Sequence, residues 1–119
     1  MSLYLVQETF KPETWGFLVD NPKATENWTE IFTKNFETMG GKIHGIWFSG
    51  ENYDVTMVVE LPSAIDMATV SVAAFSRTGV QAMKTTALWS VEDLPTIMKK
   101  VLDVPPPVSS QLDQPPVVK

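Results

Sequence analysis

The spacing of apolar residues switches along this chain between the two-residue period of a strand and the three-to-four-residue period of a helix, and that switching constrains the fold most. Residues 3–10 alternate and read as a strand, ended by Lys11-Pro12. Residues 14–18 read as a single helical turn. Asn21-Pro22 predicts a helix start, because Asn can cap free N–H groups and Pro fits the first helical position. Trp28, Ile31, Phe32, Phe36 and Met39 then recur at helical spacing as one apolar stripe, and Gly40-Gly41 stops the helix. Residues 42–48 and 53–61 read as a hairpin turning over Ser49-Gly50-Glu51-Asn52, which pairs Phe48 with Tyr53, Trp47 with Asp54 and His44 with Met57. Ser63-Ala64-Ile65-Asp66 has capping-box spacing and predicts a second helix with Ile65, Ala68, Val72 and Phe75 inward, ended by Thr78-Gly79. Residues 80–89 read as a fourth strand. Ser90-Val91-Glu92-Asp93 caps a third helix whose apolar residues are Leu94, Ile97, Met98 and Val101.

Strand, helix, strand, strand, helix, strand is the split βαβ order, so the expected fold is α+β and ferredoxin-like: a four-stranded antiparallel sheet with helices on one face. Residues 1–102 form this domain and 103–119 a Pro-rich C-terminal tail with Pro105-Pro106-Pro107 and Pro115-Pro116, a composition that favours extended backbone. Alternation puts Trp47 and Val58 on one side of the hairpin and Ile46 and Val55 on the other. Both sheet faces therefore carry large residues and need cover. The third helix, the tail or a second copy must supply it, and face-to-face pairing of two sheets into a dimeric barrel is the expected solution.

Composition removes several classes. The chain has 119 residues, room for one core, and 44% of them are hydrophobic, which excludes wholesale disorder. Its net charge of −5 with scattered basic residues argues against nucleic acid or an anionic membrane as partner. With no cysteine there is no disulfide, thiolate metal site or thiol nucleophile. The start lacks a basic stretch before its apolar residues, and no apolar run approaches the roughly 20 residues of a membrane span, so a cytoplasmic location is expected.

Asn21-Pro22, the run Gly40-Gly41-Lys42-Ile43-His44-Gly45, the hairpin Gly50-Glu51-Asn52-Tyr53-Asp54-Val55, Pro62 and residues 79–88 (GVQAMKTTAL) together resemble the GYD domain family over about residues 3–101. The resemblance implies a dimeric α/β barrel of the ferredoxin-like superfamily and carries no general activity with it. Two features depart from the family pattern. Asn52 interrupts the Gly-Glu-Tyr-Asp run and lengthens the turn, and Ala24 or Thr25 stands where relatives carry a basic residue.

Six residues are candidates for a ligand site. His44, the only histidine, can act as a base or as a haem or metal ligand because imidazole titrates near neutrality. No cofactor is predicted from spacing, and haem on His44 is the one cofactor left open; no metal-ligand spacing is present. Tyr53 and Asp54 follow the turn, and Asp54 shares a side with Trp47 and Thr56, where it can orient a substrate. Lys84 and Thr86 share a side of the fourth strand, away from Thr85. Each has a structural alternative: Asp54 satisfying N–H groups of a neighbouring segment, Tyr53 packing on Phe48, Lys84 simply solvated. No phosphate loop, nucleophile elbow or catalytic triad is visible.

Three functions remain open: a homo-oligomeric domain binding a small hydrophobic or anionic molecule, a cofactor-free monooxygenase or isomerase or a haem-binding enzyme of the dimeric-barrel type, and a structural assembly protein. A ligand-binding barrel would hold a cavity of a few hundred cubic ångström lined by Trp47, Asp54 or Lys84.

Overall fold

A computed structural model describes residues 1–77 and 79–106; Thr78 and residues 107–119, with Pro107 and Pro115-Pro116 of the expected tail, lie outside the described residues. The chain divides into two compact units, Met1–Leu88 and Trp89–Lys119.

The first unit holds β1 (Ser2–Phe10), α1 (Pro12–Asp20), α2 (Trp28–Thr38), β2 (Lys42–Phe48), β3 (Val55–Leu61), α3 (Ala64–Arg77) and β4 (Val80–Leu88). The strands pair antiparallel in the order β2-β3-β1-β4, the ferredoxin-like arrangement expected from the sequence. Alternation decides which side chains meet the helices. Tyr4, Val6, Glu8 and Phe10 of β1 and Val55, Met57, Val59 and Leu61 of β3 are buried, and all but Glu8 belong to the hydrophobic core. Met57, Leu61, Val6, Val55 and Val59 are fully enclosed. Each such side chain contributes about 1.5–3 kcal/mol on leaving water, so the two central strands are the most stable part of the fold. The opposite face carries Leu3, Leu5, Gln7, Thr56, Val58 and Glu60, all half-exposed.

The helical segment after β1 differs from expectation. Pro12 at the first position opens a nine-residue helix instead of a single turn, and Asn21-Pro22 starts only a 3-10 turn, Pro22–Thr25. The Asn21 amide caps no N-terminus; it donates to the Phe17 carbonyl at 2.9 Å and closes α1 from behind. The long helix begins at Trp28. Four members of its expected stripe face the core, Phe36 buried and Trp28, Phe32 and Met39 packed beside it, whereas the fifth, Ile31, is 49% exposed. Gly40 ends it in the left-handed region (φ 79°), a conformation that a Cβ would strain.

α3 is rotated from the expected face. Met67 and Ala74 are buried with Val70 packed against the core, whereas Ile65 (77% exposed), Val72 (67%) and Phe75 (46%) point to solvent. Two stripes share this helix, and the one with smaller side chains is inward. Its predicted start holds: Ser63 Oγ accepts from the Asp66 N–H at 3.3 Å and donates to the Asp66 carboxylate at 2.9 Å.

The hairpin register also differs. Phe48 pairs with Val55 and Trp47 with Thr56, two residues further along than expected, and Ile46, not His44, faces Met57. The cause is at both ends of β2. Asp54 is drawn out of the hairpin to β1, leaving a longer turn, and His44 is the extra residue of a bulge between Ile43 and Gly45.

In the second unit, Ser90 Oγ accepts from the Glu92 N–H at 3.1 Å and caps a 3-10 turn (Val91–Asp93) that leads into α4, Leu94–Val101. Leu94, Ile97, Met98 and Val101 share one face of α4 by spacing, and Lys99 and Lys100 stand in its last turn, where the helix dipole favours cations.

Candidate functional site

A chain of aromatic rings seats the first two helices on the sheet. Phe48 of β2 meets Trp15 of α1 edge-on at 5.7 Å between ring centres, Trp15 lies 5.6 Å from Phe10 of β1, and Phe10 meets Trp28 of α2 at 5.7 Å. Trp28 in turn meets Phe32 at 6.1 Å. Beside these rings, between α2 and the inward residues of α3, space is left unfilled. It forms a cavity of about 460 Å³, within the usual range for small-molecule sites. Phe10, Met57 and Val80 line it from the sheet, Trp28, Ile31, Phe32, Phe36 and Met39 from α2, and Val70, Ala73 and Ala74 from α3.

Glu8 is the acidic group in this apolar lining. It belongs to central strand β1, between Val6 and Phe10 on the helix-facing side, and is only 4% exposed. No donor among the described residues hydrogen-bonds or ion-pairs its carboxyl. Fully enclosed side-chain oxygens without a partner are absent among the described residues, so this unpaired carboxyl must border open space. The cavity is that space. Burial alone raises its pKa from the ordinary 4.5 to about 7, because the charged form loses water without gaining a donor. Thr14, Asn35, Thr69 and Arg77 add polar groups to the lining. The Thr14 and Thr69 hydroxyls already donate, to the Gly79 and Ile65 carbonyls, and keep only acceptor capacity. Arg77, in the last turn of α3, makes no ion pair among the described residues. Such a site can orient a small apolar molecule through one deep polar contact, and a carboxyl titrating near neutrality can give or take a proton there.

None of the six residues marked out by the sequence lines this cavity. Asp54 lies at its back. One carboxylate oxygen accepts from the Phe10 N–H at 2.7 Å and from the Trp15 indole at 3.3 Å, while the Asp54 N–H donates to the Glu8 carbonyl at 2.8 Å. Asp54 thus pins the end of β1 that carries Glu8, the structural role weighed for it above. Tyr53 is half-buried in the same turn, and Phe48 packs on Trp15. His44, Trp47, Thr56 and Lys84 belong to the opposite sheet face. His44 Nε2 is 2.6 Å from the Glu60 carboxylate, a partner that the strand register brings together and the sequence spacing hides. Trp47 lies flat over Gly45, where a Cβ would come within 2.3 Å of the indole, and is 57% exposed. Lys84 is exposed opposite Gln7 and makes no ion pair among the described residues. Among the described residues no group of three His, Cys, Asp or Glu could hold a metal, and no helix is long and apolar enough to cross a membrane.

Sequence reasoning passes over Glu8, although one signal for it exists. In β1 the alternation places a glutamate on the same side as Tyr4, Val6 and Phe10, a charged residue on an otherwise apolar core face.

Fold and cavity together define a small ferredoxin-like α+β domain with a pocket between its helices and sheet. The chain belongs to the GYD domain family, whose model matches residues 4–98. A search of curated proteins finds no match.

Proposed function

We propose that this protein binds a small, largely apolar molecule in the cavity between α2, α3 and the sheet, with Glu8 as its polar anchor. One observation carries the reading: Glu8, a residue only 4% exposed, borders a cavity of about 460 Å³ and its carboxyl has no partner among the described residues. An unsatisfied buried polar group costs roughly 1–3 kcal/mol, more when charged, and a fold retains that cost readily where a ligand offsets it. Self-association belongs to the same proposal: Leu3, Leu5, Val58 and Trp47 form the apolar part of the second sheet face, and a second copy is the partner proposed for it. Light scattering that returned a monomer at micromolar concentration would remove that partner.

The binding claim is tested by titrating the full chain with two neutral probes, phenethyl alcohol and indole, while following backbone amide shifts by NMR. Shifts should concentrate at Phe32, Thr69 and Ala73, and Ala73→Trp, which fills the cavity, should abolish them. Absence of shifts up to the solubility limit of both probes, or shifts centred on Trp47 and Lys84, rejects the site.

A further inference from the structure

Taking the α2–α3 cavity as a ligand site, we propose that its ligand is a compact apolar amine, bound as the ammonium with its charge against Glu8 and its carbon skeleton among the aromatic side chains. Three features of the cavity point to that class. Among the described residues Glu8 is the single acidic group lining it and has no partner, so a cation there gains a full charge pair without displacing one. Phe10, Trp28, Phe32 and Phe36 line the same space, and an ammonium is the charged group that aromatic walls attract. The chain carries a net charge of −5, which favours approach of cations over anions.

The other charges near Glu8 do not compete for that role. Asp54 donates its N–H to the Glu8 carbonyl, and its carboxylate is occupied by Phe10 and Trp15. The strand neighbours Val55 and Met83 are uncharged, as is Asn35 of α2. Arg77 on α3 is the one cation of the lining among the described residues; it is exposed and more than 4 Å from the Glu8 carboxylate, as the two form no ion pair. An anionic ligand would have to hold its charge at Arg77 in competition with water and present a second carboxylate to Glu8. A neutral ligand with a hydroxyl can donate to the ionised Glu8 or accept from its protonated form, but forms no charge pair with it.

Calorimetric titration of the full chain with phenethylamine, phenethyl alcohol and phenylacetate at about pH 8 separates these cases. A charge-assisted contact of roughly 1.5–3 kcal/mol makes the amine bind about 10- to 100-fold tighter than the alcohol, with the acid weakest. Glu8→Gln should bring the amine to within about threefold of the alcohol. In the unmodified protein, lowering the pH from about 8 to about 6 should cost the amine about tenfold in affinity and spare the alcohol, because Glu8 takes up a proton across that range. That pH comparison decides the matter alone if Glu8→Gln does not fold. Equal binding of alcohol and amine would overturn the amine and leave the small-molecule reading standing. Tightest binding of phenylacetate, lost in Arg77→Gln, would overturn it in favour of an anion. Failure of all three probes to bind at millimolar concentration would overturn both readings.

Discussion

The two faces of the sheet each carry a glutamate on a central strand, and the two are treated oppositely. Glu60 of β3 sits on the face away from α2 and α3, half-exposed, opposite Lys42 in the register and 2.6 Å from His44. Glu8 of β1 sits on the helix-covered face, buried, with no hydrogen-bond or ion-pair partner for its carboxyl among the described residues. A glutamate with solvent and a partner is an ordinary surface feature worth little to stability. A buried one without a partner is costly, and the fold retains it beside an unfilled cavity. The face that looks richer in chemistry by sequence, with the histidine, Trp47 and Lys84, is the one where charges are paired or solvated. The apolar face holds the group without a partner among the described residues.

The sharpest way to break this contrast is pH. The native pKa of Glu8, about 7, lies above its ordinary 4.5, so between these values the folded protein holds a proton that the unfolded chain has released. The Glu8 contribution is therefore fully present below about pH 4.5 and is lost as pH rises through 7. The gap corresponds to roughly 3 kcal/mol. Denaturant unfolding followed from about pH 5 to about pH 8 should show that decline, and Glu8→Gln should remove it and leave the variant the more stable protein at the alkaline end. A wild-type profile that is flat across this range would mean that the carboxyl has found a donor. The same contrast predicts a second, smaller effect behind the cavity. Asp54→Asn keeps an acceptor but removes the charge shared by the Phe10 N–H and the Trp15 indole, and should cost about 2 kcal/mol in chemical denaturation. It should also weaken probe binding at Glu8, because Asp54 holds the end of β1. Unaltered stability would show that the Asp54 contacts are dispensable.

Much of this architecture is legible in the sequence, and the failures have physical causes. Alternation over β1 and β3, and the Gly40-Gly41 stop, specify strands and boundaries because those signals are local. The face of α3 is not, since Ile65-Ala68-Val72-Phe75 and Met67-Val70-Ala74 are both spaced for a helix. Only packing against β3 and β4 selects the stripe with the smaller residues, which lets the helix lie close. Alternation places Trp47 and Thr56 on one face but leaves the face of Lys84 open, which only the pairing of β4 with β1 decides, whereas Asp54, expected beside Trp47 and Thr56, turns to satisfy a backbone N–H of β1. Glu8 is placed by the same alternation among core residues. That it has no partner depends on the gap between α2 and α3, a tertiary distance that no spacing along the chain encodes.

On the second face the contrast predicts effects near the limit of measurement. Gly45→Ala places a methyl group 2.3 Å from the Trp47 indole, so the ring must swing away from the sheet. The bulged strand should lose about 1 kcal/mol or less, since Ala also lowers the entropy of the unfolded chain, and the clearest readout is a red-shifted tryptophan emission. Unshifted emission would mean that the indole does not rest on Gly45.

His44→Ala should be smaller still. Both partners of the His44–Glu60 contact keep about a third of their side-chain surface in water, at 39% and 29% exposure, and pairs of that kind contribute about 0.2–1 kcal/mol. The bulge that presents His44 is fixed by the ladder bonds of Ile43 and Gly45 on either side and does not need the imidazole. The variant should therefore unfold within about 1 kcal/mol of the wild type and bind cavity probes with the same affinity. A loss of several kcal/mol, or any loss of probe binding, would show that the two faces are coupled through β3, and the division between a paired face and a face with a free carboxyl would fail.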